Sequence, residues 1–167
     1  MTRVSTLMAP VATGAILAVA ACSISEAGTP RATTPVPVAS MDPCTLLTDS
    51  DRALFGVKNG EPVKLGDVKG CDWLRSGEFA LSVALHPNRG FANANLQGSA
   101  ATSVSIGRHQ AHQVQNMGGG KGSCDIYLEV DASSIAQAQG LITARNDTPK
   151  ACALATQVAQ IIDPKLP

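Results

Sequence analysis

Five cysteines in 167 residues set the first constraint on what this chain can fold into. Cys44, Cys71, Cys124 and Cys152 are spread through the chain, while Cys22 closes an apolar run that begins at Pro10. An even set of four pairs completely in an oxidising compartment, and the fifth then needs a chemistry of its own. Four cysteines permit three pairings. Their order and the elements around them favour Cys44 with Cys71 and Cys124 with Cys152, each joining a helix to a strand. The closed loops are 71 − 44 = 27 and 152 − 124 = 28 residues, so each bridge contributes about 3 to 4 kcal/mol on the chain-entropy account. A four-thiolate zinc site fits poorly, because the short paired spacings such as Cys-x-x-Cys are missing.

The stretch Leu17-Ala18-Val19-Ala20-Ala21-Cys22 accounts for the odd cysteine. The run from Val11 to Ala21 is too short to cross a ~30 Å hydrocarbon core, which takes about 20 apolar residues. Its small-residue end reads as a processing site behind a polar start with one cation, Arg3. It resembles the bacterial lipobox. That resemblance implies cleavage between Ala21 and Cys22, a diacylglycerol on the Cys22 thiol, and an acyl chain such as palmitate on the new amino terminus. Two or three chains at ~0.8 kcal/mol per buried methylene hold a protein firmly on a bilayer. An ordinary secretory signal would instead leave Cys22 as an unpaired thiol.

Residues 1–21 are thus expected to be a lipoprotein signal peptide. Residues 22–41 are expected to be the lipidated Cys22 and a disordered Thr/Pro-rich tether, extending at ~3.1 Å per residue. Residues 42–167 are left for a single domain. The expected location is the outer face of the plasma membrane, with the domain reaching into the cell envelope and the membrane itself, through the lipid on Cys22, as first partner.

Within the domain, Asp42 is placed to cap a helical turn with Pro43 at its first position. Thr48-Asp49-Ser50-Asp51 reads as a second cap before Arg52-Ala53-Leu54-Phe55, with Gly56 as the stop. The expectation is a short, broken helix over 43–55 that buries Leu46, Leu47, Leu54 and Phe55. Between Val63 and His86 the period becomes two: Cys71, Trp73 and Arg75, then Phe79, Leu81, Val83 and Leu85, a hairpin with one buried face. Residues 91–101 are compatible with a short helix or a loop. A second hairpin turns at Gly107-Arg108, Cys124 to Val130 reads as the clearest strand, and Ile135 to Ala138 or beyond as a weaker one. In the last helix Thr148 is expected to cap, and Ala151, Leu154, Ala155, Val158, Ile161 and Ile162 form one apolar stripe. Asp163-Pro164 stops it. The fold class is α+β: an antiparallel sheet of about five to six strands with a short N-terminal helix and an amphipathic C-terminal helix packed on it, stapled by two disulfides.

Candidate chemistry is sparse. The 13 basic and 13 acidic residues balance, so nothing recruits nucleic acid by bulk electrostatics. Trp73, Tyr127, Phe55, Phe79 and Phe91 are all the aromatics, too few for stacking platforms. Gly118-Gly119-Gly120-Lys121-Gly122-Ser123 lacks the spacing and the strand-to-helix context of a phosphate loop. His109 and His112 would point to opposite faces of a strand, with His86 on another strand, so no metal site is expected. There is no Gly-x-Ser-x-Gly elbow, and pairing of the cysteines leaves no thiolate nucleophile. Asp49, Asp51, Glu61, Asp67 and Asp72 are explained by capping and solvation better than by acid–base work. No catalytic residue and no cofactor is expected.

Asp42-Pro43-Cys44, Cys71-Asp72-Trp73, Val104-Ser105-Ile106-Gly107 leading to Ala111, Cys124-Asp125-Ile126-Tyr127-Leu128 and Cys152-Ala153-Leu154-Ala155 together carry a family resemblance. The pattern resembles the actinobacterial lipoproteins of the domain-of-unknown-function 3558 family, over residues 42–162. The resemblance implies an envelope lipoprotein with two disulfides and implies no activity. The expected function is a non-catalytic binding or interaction module for an envelope protein or cell-wall component. The alternatives are a carrier of a small apolar envelope ligand, held in a dry cavity between helix and sheet, and, third, a hydrolytic enzyme.

Overall fold

The computed structural model describes residues 36–94, 100–144 and 146–167, all within the unit Thr34–Pro167. Ala21, Cys22 and most of the expected tether lie outside the described residues. Seven strands form one antiparallel sheet among the described residues: β1 (Glu61–Leu65), β2 (Val68–Arg75), β3 (Phe79–His86), β4 (Ala101–Ile106), β5 (His109–Gln115), β6 (Ser123–Asp131) and β7 (Ser134–Ile142). Two helices accompany them, α1 (Asp49–Phe55) and α2 (Thr148–Ile162). The expected five to six strands are therefore seven. The addition is β1, an edge strand exposed at all five positions and carrying Pro62, which shows neither alternation nor an apolar run.

The strand order is β1-β2-β3-β7-β6-β5-β4. Chain-order hairpins build β1 to β3 and β4 to β7, and β7 joins the two sets by pairing with both β3 and β6. One face of the sheet, the inner face, carries Cys71, Trp73, Leu81, Val83, Leu85, Ile126, Leu128, Ala136 and Ala138, all essentially inaccessible. α2 covers this face over β6 and β7 with Ala151, Cys152, Ala155, Val158, Ala159 and Ile162. Small residues bring it close: a Cβ on Gly140 would overlap the Ala151 carbonyl oxygen and lie 3.1 Å from the Ala155 nitrogen.

The N-terminal segment covers the inner face over β2 and β3. It is three pieces rather than one helix: 3-10 turns at Val38–Ser40 and Pro43–Thr45, then α1. Asp42 accepts the Cys44 N–H at 2.9 Å, Thr48 and Asp51 form a reciprocal capping box, and Gly56 ends α1 at φ +65°. Leu46, Leu47 and Phe55 are buried as expected, but Leu54 is 78% exposed. A helix of two turns has one inward stripe; Phe55 fills it and Leu54 lies about 100° around the axis. Val38 is also buried, and Lys69 Nζ donates to the Ala39 carbonyl at 2.6 Å, so residues 38–41, read as tether, pack on the domain.

Both favoured disulfides are present, Cys44–Cys71 and Cys124–Cys152, with Cα separations of 5.1 and 4.8 Å. The cap of α2 differs from expectation. Asp147, not Thr148, accepts the Lys150 N–H, while the Thr148 hydroxyl donates to Asn116 Oδ1 at 2.7 Å and accepts the Gly122 N–H at 3.1 Å. After α2, residues 163–167 form a clasp. Asp163 accepts the backbone N–H groups of Arg108 and His109 at 3.1 and 3.2 Å and meets His109 Nδ1 at 2.8 Å. Lys165 Nζ reaches the Leu46 carbonyl and Asp51 Oδ2 at 2.6 and 2.8 Å.

Candidate functional site

β3 is third in the sheet and β4 is last, so the chain between them passes from one half of the sheet to the other. The described part of that crossing lays Phe91 flat on the His112 imidazole, with ring centroids 3.6 Å apart and planes 9° apart, and tilts it against Tyr127 at 6.2 Å. Val114, Tyr127 and Ile135 form a second small core there with Phe91, Ala94 and Met117.

Asp125 lies on this same outer face, next to Tyr127 in β6, yet it is fully buried. Its Oδ1 accepts the side-chain N–H groups of Gln137 and Gln139 at 2.7 and 2.8 Å. Its Oδ2 has no partner among the described residues. Burial pushes the carboxyl above its ordinary value, and the two amide donors only partly offset this. Gln137, its nitrogen committed to Asp125, presents Oε1 to His86 Nε2 at 3.0 Å, so His86 carries a proton on Nε2. Burial, the main influence, holds His86 below its ordinary value, leaving a neutral ring whose buried Nδ1 has no partner among the described residues.

A raised folded-state pKa means that the ionised Asp125 costs stability above the unfolded value, and that this cost disappears as pH falls through the ordinary carboxyl range. Asp125→Asn keeps an oxygen acceptor for both glutamines and removes the charge. It is expected to stabilise the protein by about 1 kcal/mol at pH 7, measured by urea denaturation, with the gain vanishing near pH 3.5. A variant less stable than wild type at pH 7 would show that the charge is compensated.

Beside this network the outer face opens into a groove. Two hollows of about 440 and 460 Å³ share Asp72, Ser82 and Gln139. One runs past Val63, Leu65 and Gly70 to Asp67, His86 and Arg89; the other runs past Glu61 and Leu74 to Asn59. Ser82 Oγ donates to Asp72 Oδ1 at 2.6 Å. Glu61 stands directly opposite Asp72 in the β1–β2 register. Asn88 donates to Asp67 Oδ2 at 3.0 Å, which, as the largest influence, holds that carboxyl below its ordinary value.

A family model described as a protein of unknown function (DUF3558) matches residues 17–165. The chain belongs to the DUF3558 family. No curated protein and no solved structure matches it. The family resemblance read from the cysteine, glycine and tryptophan motifs thus holds, and those motifs fall at the disulfides, the Gly107 turn and the buried Trp73 of this DUF3558 fold.

The histidines of this DUF3558 domain stay apart. His109 faces inward onto Asp163, His112 outward, its Nε2 2.6 Å from Glu129 Oε1, and His86 lies on the outer face against Gln137. Opposite faces for His109 and His112 were expected; a carboxylate beside each was not, because Asp163 and Glu129 are distant in sequence. The Gly118–Ser123 loop joins β5 to β6, strand to strand. Asp49 pairs with Arg52 and Asp51 with Lys165, whereas Glu61, Asp67 and Asp72 converge on the groove. Sequence reasoning passed over Gln137, Gln139 and the burial of Asp125. Nothing in the strand pattern marks them, since all three alternate as outward polar residues should.

Proposed function

We propose that this protein is a lipid-anchored envelope module that acts by binding rather than by catalysis, held on the outer face of the plasma membrane through Cys22 and presenting the outer face of its sheet to an envelope partner. The groove over β2, β3 and β7 carries the reading: it is open, mixes carboxylates with apolar side chains, and has a floor ordered by the Asp125–Gln137–Gln139 network. The anchor is supported by the lipobox-like Leu17–Cys22 and by cysteine parity, since the two disulfides use every cysteine but Cys22. A carrier would need its cavity between α2 and the sheet. None of the four described hollows is lined by an α2 residue, and Gly140 lies against the α2 backbone.

Expression in an actinobacterial host followed by fractionation and intact-mass analysis tests the anchor. The wild-type chain is expected in the membrane fraction with the mass of a diacylglycerol adduct, and Cys22→Ala in the soluble envelope fraction. Cys22→Ala remaining membrane-bound counts against lipid anchoring. For the binding role, Ser82→Arg is expected to abolish retention of a partner from an envelope extract at an unchanged melting temperature. Specific turnover of an envelope substrate by the folded, oxidised chain would replace the binding reading with an enzymatic one.

A further inference from the structure

We infer that the ligand of the outer-face groove is an extended basic peptide segment, its lysine or arginine heads held by Glu61, Asp67 and Asp72 and its aliphatic stems lying on Val63, Leu65 and Leu74. The inference rests on the binding reading above and names the chemistry that the groove selects.

Charge is the first support. Three carboxylates line the two hollows against one guanidinium, Arg89. Glu61 and Asp72 are directly opposed across neighbouring strands, an arrangement that destabilises a sheet unless something positive sits between or above the pair. No lysine or arginine among the described residues forms a salt bridge with either.

The second support is the polarity of the floor. Asp125 draws the nitrogen atoms of both Gln137 and Gln139 toward itself. Gln137 Oε1 is then taken by His86, but Gln139 Oε1 accepts from no described residue, and Gln139 lines both hollows. Asp72 spends one oxygen on Ser82 and keeps the other. The floor therefore offers acceptors, and a ligand rich in N–H donors satisfies them.

The rim supplies the third. Of the five large apolar side chains exposed among the described residues, Val63, Leu65 and Leu74 border this groove. Lysine and arginine are the side chains that cover apolar surface with their stems while their heads remain in polar surroundings. From Val68 to Leu74 the groove follows 74 − 68 = 6 residue steps of β2, about 20 Å at ~3.3 Å per residue, long enough for an extended peptide of about six residues.

Hexalysine is the probe. It is titrated into the isotope-labelled full chain, disulfides intact and in non-ionic detergent, and the signals of Asp72, Ser82 and the Gln139 side-chain amide are followed. Saturable shifts at these positions are expected, with affinity falling at least tenfold in Asp67→Asn/Asp72→Asn and falling several-fold between 0.05 and 0.3 M salt, as for ion pairs open to solvent. Glu61→Gln serves as a second variant should the double one melt early. Absence of shifts at millimolar hexalysine, or binding indifferent to these carboxylates, overturns the inference. Shifts with a neutral chitotetraose instead of hexalysine also overturn it while leaving the groove as a binding face. Loss of partner capture by Ser82→Arg is a separate readout, so the two readings fail distinguishably.

Discussion

Gly140→Ala is expected to lower the stability of the fold by about 3 kcal/mol, read as a fall in melting temperature of about 10 °C. The added methyl group would overlap the Ala151 carbonyl oxygen and press on the Ala155 nitrogen. Both are helix backbone atoms, so no rotamer change relieves the contact and α2 must withdraw as a unit. It is poorly placed to do so. Cys124, the direct register partner of Gly140, is bonded to Cys152 one helical position from Ala151, which ties the helix to the sheet at the point of the clash. Withdrawal would also open gaps around Val158 and Ile162, each fully buried, and residual cavities carry their own cost. Calorimetry of the oxidised chain checks this. A melting temperature within about 3 °C of wild type would mean that α2 has room to move.

Asp163→Ala is expected to cost at least as much, about 3 to 5 kcal/mol, because it leaves donors stranded in a buried site. Asp163 is 4% exposed and gathers the Arg108 and His109 backbone N–H groups and the His109 ring. Gly107 is part of the same device: its φ is +51°, and a Cβ there would overlap the Asp163 carboxylate. Burial, the largest single influence, works to raise the Asp163 carboxyl, but the donors together outweigh it and hold the group below its ordinary value. A depressed folded-state value gives stability that is present above the unfolded value and lost as pH falls through the folded one. Urea denaturation should therefore show the gap between wild type and Asp163→Asn closing as pH falls below about 4. A gap that persists unchanged at pH 2.5 would assign the effect to shape rather than charge.

The parts of the fold that were legible in the sequence are those where one side chain carries a strong signal. Phe79, Leu81, Val83 and Leu85 alternate plainly, and the stripe on α2 recurs at three and four. The full nine residues of β7 were harder to see, since its inward positions are Ser134, Ala136, Ala138, Gly140 and Ile142. Small residues bury well yet barely register as hydrophobic. Thr148 before Pro149 has the form of a helix cap, but the adjacent Asp147 takes that role and leaves the threonine hydroxyl to Asn116 and Gly122. The candidate site was the least legible. Asp125 alternates with Cys124 and Ile126 as an outward polar residue should, and its neighbours in sequence give no sign that it is fully buried and held by Gln137 and Gln139 of the adjacent strand. Glu61 and Asp72 are eleven positions apart (72 − 61 = 11), and nothing local reveals that they meet across a strand pair.

The placement of β7 has a consequence for how the chain reaches its native state. It is the last strand in sequence and sits mid-sheet, between β3 and β6. Until it arrives, the β1–β3 and β4–β6 meanders are separate ribbons, each ending in an open inner edge, and Phe79 must wait for Ile142, which is 142 − 79 = 63 residues later. Contacts of such separation make folding slow, and unpaired edges left open meanwhile invite pairing with other chains. The native sheet is therefore sealed by its final strand, and a chain cut short before Ser134 would be two sticky ribbons rather than a smaller version of the same protein.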